Sequence, residues 1–190
     1  MGKIKQFFYY ITHNIKPVLG VGLPVLLFVG ALLYLPYGIR AASANGNNRK
    51  IPIYCVGTEE KKVALSFDAA WGNEDTGEIL EILKKYDVKV TFFMTGGWME
   101  SYPEDVKKIL ADGHDLGNHS ENHKHMERLS SEDCERELMK AHEKIESLTG
   151  YNMCLFRPPY GGYNNTVIEA AEKCGYYTIQ WSVDTLVMKV

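Results

Sequence analysis

What this chain lacks narrows its function before any motif is considered. It has only four cysteines among 190 residues, Cys55, Cys134, Cys154 and Cys174, and no two stand at C-x-x-C spacing. That argues against a structural zinc cluster and leaves buried thiols as the expected state. The net charge is −3, with Lys and Arg nowhere clustered, so the basic field that holds nucleic acid is missing. No repeat and no low-complexity tract interrupts the chain. Most conspicuously, residues 17–39 contain no charged side chain at all.

That uncharged run, "PVLGVGLPVLLFVGALLYLPYGI", is long enough to cross a bilayer, since about 20 helical residues span the roughly 30 Å hydrocarbon layer. Lys3, Lys5 and Lys16 precede it, which predicts a cytoplasmic N-terminus and an extracellular remainder. Pro24 is placed to kink such a helix. A cleaved signal peptide is the rival reading, because Ala42-Ser43-Ala44 resembles a small-residue cleavage site. The expected organisation is a cytoplasmic segment (1–16), a membrane anchor (17–39), a Gly/Asn-rich linker (40–60) and one soluble domain (61–190).

Within the soluble part the hydrophobic period switches back and forth. "KVALSF" (62–67), "VKVTFFM" (88–94), "DLGNH" (115–119), "CLFR" (154–157) and "YYTIQWSV" (176–183) read as strands. Helical spacing predicts helices over 73–86, 103–113, 130–150 and 164–175. The third is the clearest, with Ser130 and Asp133 as a capping box and Cys134, Leu138, Ala141, Ile145 and Leu148 on one face. Strand–helix alternation of this kind implies an α/β fold with a parallel sheet.

The unusual polar residues sort onto one end of that scheme. Asp68 follows the first strand, Gly96, Gly97 and Trp98 the second, and His119 and His123 the third. Arg157 with "PPYGG" follows the fourth, and Asp184 the fifth. The carboxyl rim is where parallel α/β folds build their sites. Singly, each has an ordinary explanation: a turn cap for Asp68, a surface ion pair for Arg157, a stiff turn for the prolines, core positions for Trp71, Trp98 and Trp181. Jointly, on one rim, they point to a site. His119 and His123 are four apart, so one helical turn would aim both rings the same way. A metal site and a polar loop rich in histidine both fit that pair.

Four ordered segments then carry a resemblance: "VALSFDAAWG", "GHDLGNHSENH", "LFRPPYGGYN" and "IQWSVDT". Together, over residues 61–185, they resemble the polysaccharide deacetylase (NodB-homology) domain of carbohydrate esterase family 4, and most of all its membrane-anchored, sporulation-type members. The resemblance implies a distorted (β/α) barrel that removes acetyl groups from N-acetylglucosamine or N-acetylmuramic acid in peptidoglycan or chitin-like polymers. It implies a divalent metal, usually zinc, held by one Asp and two His. By position Asp68 matches the catalytic base, His119 and His123 the metal ligands, and Arg157 the residue orienting the base. The Tyr160 backbone N–H matches the oxyanion donor. Trp71, Trp98, Trp181 and Asp184 are expected at the substrate.

Such residue types suit the chemistry. An amide carbonyl is a poor electrophile; a metal polarises it and acidifies a bound water, a carboxylate takes the proton, and a fixed N–H stabilises the oxyanion. Two departures matter. The family's second aspartate is Ala69 here, so Glu74, Asp75 or water would have to complete a metal shell. After "WSVDTL" the chain reads "VMKV", without the family's later strands or its Leu-x-His general acid. The expectations are therefore an incomplete barrel with an open edge on the fifth strand, poor stability and weak deacetylation. The alternative is a membrane-tethered, glycan-binding pseudoenzyme.

Overall fold

A computed structural model describes residues 48–185. The expected anchor, its topology, the cleavage site and the terminal "VMKV" lie outside the described residues. No helix among the described residues is long and apolar enough to cross a membrane.

Five short strands form one sheet: β1 (Ser66–Ala69), β2 (Thr91–Met94), β3 (Asp115–Asn118), β4 (Leu155–Phe156) and β5 (Tyr177–Thr178). Every neighbouring pair is parallel and the spatial order equals the chain order. A sheet that never reverses its order has no switch point, so its site must form along the carboxyl rim, as in a barrel. The helices are α1 (Thr76–Lys85), α2 (Gly96–Ser101), α3 (Pro103–Ala111), α4 (Ser131–Thr149) and α5 (Asn165–Lys173).

Helix α4 forms as its sequence predicts. Ser130 accepts the Asp133 N–H at 3.1 Å, and Gly150, in the left-handed region, closes the other end. Cys134, Leu138, Ala141 and Ile145 are fully buried from one stripe of it, beside Phe92, Leu116 and Phe156 of the sheet. Leu138 and Ile145 each contribute about 1.5–3 kcal/mol on burial, and the Ala141 methyl about 0.8 kcal/mol.

Four expectations are corrected. The first strand pairs only from Ser66, so Asp68 stands inside β1 rather than after it. Gly96, Gly97 and Trp98 open a short helix, α2, which two adjacent glycines concealed; Thr95 caps it by accepting the Trp98 N–H. The compact unit begins at Arg49, not 61. Within the supposed linker, the Ile53 N–H donates to Thr178 C=O and the Gln180 N–H to Ile53 C=O, both at 2.8 Å. Residue 53 thus covers part of the β5 edge expected to be open, and Lys50 secures it by ion-pairing with Glu172 on α5. The thiols also divide: Cys134 is buried and Cys174 half-buried, whereas Cys55 and Cys154 are exposed, and all four are free.

Candidate active site

Asp68 lies opposite Phe93 in the β1–β2 register, and Phe93 lies opposite Gly117 of β3. The Phe93 ring packs where a Gly117 side chain would begin, so only glycine lets the ring lie flat there. Over that ring, at 4.1 Å, sits the guanidinium of Arg157, which follows β4. Arg157 donates Nη1–H to Asp68 Oδ1 at 2.7 Å and Nη2–H to Ser66 Oγ at 2.8 Å. Two residues 89 positions apart are therefore joined by a planar, charge-assisted contact. The Trp181 ring lies 5.6 Å from the same guanidinium.

Arg157 also fixes the first histidine. Its carbonyl oxygen lies 2.7 Å from His119 Nδ1. A carbonyl can only accept, so Nδ1 carries the proton and Nε2 carries the lone pair. Nε2 points toward Asp68, 3.8 Å from Oδ2. Burial pushes the His119 pKa down, which favours the neutral ring.

The helical turn expected to align the two histidines is absent. Residues 119–125 form a loop, in which Ser120 (φ 66) and His123 (φ 52) take left-handed conformations. Side chains compensate: Asn118 Oδ1 accepts the Ser120 N–H at 2.8 Å, and Ser120 Oγ accepts the His123 N–H at 3.0 Å. The rings still meet, with centroids 4.9 Å apart. Burial, and next the His119 neighbour, push the His123 pKa down to about 4. His123 Nδ1 is buried without a hydrogen-bond partner.

The sequence reading missed what holds this loop. Glu137, buried on α4, accepts the Asn122 backbone and side-chain N–H groups, each at 2.9 Å, and pairs with Lys124 at 2.7 Å. Lys144, two turns on, binds Glu121 and Glu100, each at 2.6 Å. The Gly96 and Gly97 N–H groups donate to Ser120 and Glu121 carbonyls. Glu137 left a signal, since it stands one residue before Leu138 on the apolar stripe of α4.

Tyr160 sits in the Pro-Pro-Tyr-Gly turn at φ 59, ψ 7. His125 stacks on its ring at 4.1 Å, and His123 meets the ring at 4.6 Å. The expected tryptophans separate. Trp71 is exposed and touches His123; Trp181 is half-buried under Arg157. Trp98 is only 3% exposed and donates its indole N–H to Gly72 C=O at 2.5 Å, so the substrate-facing role expected of it is corrected to a buttress. Asp184 is exposed beyond β5.

Besides the Asp68 carboxylate, already held by Arg157, this rim brings two imidazoles together as possible metal donors. Ala69, at the position where the family resemblance implies a third ligand, carries no donor atom on its side chain; Asp75 is the N-cap of α1, and Glu74 packs against Gly72. Among the described residues no group of three His, Cys, Asp or Glu could hold a metal ion. A catalytic zinc takes three protein ligands, so these residues do not fit one.

A sequentially ordered parallel α/β sheet thus gathers a carboxylate, an arginine and two histidines on its carboxyl rim. Residues 56–179 match the polysaccharide deacetylase family, and the chain belongs to it. It is 39% identical over 135 residues to the uncharacterised YlxY protein of Bacillus subtilis, covering 71% of this chain and 42% of that one. With the peptidoglycan-N-acetylmuramic acid deacetylase PdaA of the same organism it shares 34% identity over 131 residues, covering 68% and 50%. The crystal structure of a CE4 family pseudoenzyme from Bacillus anthracis matches with a TM-score of 0.69 at 40% identity, over 72% of this chain and 48% of that one. A mutant of that pseudoenzyme described as having restored enzymatic activity matches equally well, at 41% identity over 72% and 50%. The chain spans about half the length of these relatives.

Proposed function

We propose that this chain engages N-acetylated cell-wall glycan, built from N-acetylglucosamine or N-acetylmuramic acid, in the cleft between Asp68 and the histidine loop. We further propose that its deacetylase chemistry is limited by Ala69. The observation that carries the reading is the Asp68–Arg157–His119 unit: one arginine orients the base through its side chain and the first histidine through its carbonyl. Arg157 occupies Asp68 Oδ1, so Oδ2 is the oxygen that can receive a proton from an attacking water. The Tyr160 N–H, in a turn stiffened by two prolines, is the donor assigned to the developing oxyanion. Hydrolysis of the acetyl amide is the reaction this half of the cleft serves.

The second reading, a glycan-binding pseudoenzyme, is favoured by the missing third metal donor. Acetate release from chitin oligomers, measured with and without added zinc on the full chain and on Ala69→Asp, separates the two. Acetate from the unaltered chain supports the deacetylase. Glycan binding with acetate only from Ala69→Asp supports the pseudoenzyme. Neither binding nor acetate from either protein overturns both. The proposed location is extracellular, tethered through residues 17–39. A reporter fused after Lys50 then gives an exported, membrane-bound product, whereas a cytoplasmic reporter rejects this topology.

A further inference from the structure

Trp71 is 76% exposed, although a large apolar ring in water costs free energy that a slack loop would recover by folding it inward. The loop that carries it is not slack. Before the ring, Ala69 C=O accepts the Thr95 N–H at 3.0 Å. After it, Gly72 C=O accepts the buried Trp98 indole N–H at 2.5 Å, and the Asn73 side chain donates to Asp105 at 2.7 Å. Gly72 turns the chain at φ +60, a conformation glycine adopts without the penalty of a Cβ. The indole is thus held outward by fixed points on both sides. It stands against His123, with ring centroids 4.6 Å apart and the planes at 67°. On His123's ring Tyr160 makes a second edge contact at 4.6 Å, and Tyr160 is itself 58% exposed.

We infer that Trp71 is a preorganised stacking platform for the sugar next to the one whose acetyl group meets Asp68, so that the cleft selects an oligosaccharide over a single sugar. The inference rests on the proposed function and adds a position to its cleft. A pyranose ring has an apolar C–H face ringed by hydroxyls, and an indole offers matching apolar area with few rotamers to freeze. Because the loop is pinned before ligand arrives, little ordering entropy opposes binding. Trp98 and Asn73 are positioning residues: one props the carbonyl after Trp71 from the core, the other ties the loop to α3.

The test titrates the full chain with chitotetraose and with N-acetylglucosamine, following tryptophan fluorescence and binding heat. Chitotetraose is expected to perturb Trp71 emission and to bind at least about tenfold more tightly than the single sugar. Trp71→Ala should cost about tenfold for the tetramer and leave the single sugar unchanged, while Trp71→Phe stays within about threefold. Asn73→Ala, which frees the loop without removing the ring, should give an intermediate loss for the tetramer alone. Tetramer affinity retained in Trp71→Ala overturns the platform and leaves the proposed function standing, as does an equal loss for both sugars. Binding of neither sugar by the unaltered chain overturns the proposed function and the platform with it.

Discussion

The two halves of the cleft are built to different standards. On the base side, Asp68, Ser66 and both Arg157 terminal nitrogens are engaged, and only Arg157 Nε is buried without a partner. On the histidine side, His119 is fixed, but His123 keeps a buried, unpartnered nitrogen and Ala69 offers no donor. An unpaired buried polar atom typically costs about 1–3 kcal/mol. The difference teaches how unequally the two kinds of site tolerate loss. An ion pair is complete with two residues, here Asp68 on β1 and Arg157 just past β4. A catalytic zinc takes three protein donors, so a methyl group at position 69 would leave such a centre short of a ligand while the adjacent pair stays intact.

The strongest way to break the comparison is to damage its sound half. Arg157→Ala leaves Asp68 beside an emptied, largely buried pocket and should destabilise the chain by about 3 kcal/mol, read by urea unfolding. Arg157→Lys keeps the charge but not the fork that reaches both Asp68 and Ser66, so an intermediate loss is expected. Equal stability of Arg157→Ala and the unaltered chain would remove the contrast. The next effect repairs the weak half. Ala69→Asp should raise zinc affinity at least about 100-fold by titration calorimetry, and His119→Ala with His123→Ala should erase the gain. A gain that survives loss of both histidines would place the ion elsewhere.

Smaller changes probe the support of the histidine loop. Burial alone would raise the Glu137 pKa, but hydrogen bonds from Lys124 and Asn122 outweigh it and hold the carboxyl below its ordinary value of 4.5. A carboxyl depressed in the folded state adds stability above its unfolded pKa. That stability is lost as pH falls through the folded value. Glu137→Gln should therefore cost about 2 kcal/mol at neutral pH and flatten the loss of Tm on acidification below about pH 4.5. An unchanged acid limb would show that Glu137 does not carry it. The smallest effect is Ser130→Ala, about 1 kcal/mol from the lost cap of α4, with no change in glycan binding. A binding defect there would mean that α4 transmits more to the loop than Glu137 and Lys144 account for.

Much of this was legible in the linear chain, and the limits are instructive. The α4 stripe and its cap were read correctly because both depend on neighbours within a few residues. The strand ends were not, since β1 starts where a partner strand begins, and KVALSF does not say which residue that is. Helix α2 was hidden because Thr95 caps it while two glycines argue against it. The histidines were found, but by a mistaken route. A helical turn was expected, and instead Asn118, Ser120 and Glu137 hold a left-handed loop.

With the family resemblance marking Ala69 as the place of a missing carboxylate, the sequence by itself determined the parallel α/β order, the rim on which the polar residues gather and the uncharged run at 17–39. These follow from periodicity, from the alternation of elements and from residue identity, all of which are local. Only the tertiary structure decided that Arg157 reaches Asp68 and Ser66, that its carbonyl sets the His119 tautomer, and that Trp98 is a buttress while Trp71 faces solvent. It also decided that Ile53 closes on β5. Each of these contacts joins residues more than 20 positions apart, and what brings them together is the burial of apolar side chains on either side of the sheet, a sum over the whole domain that no short segment contains.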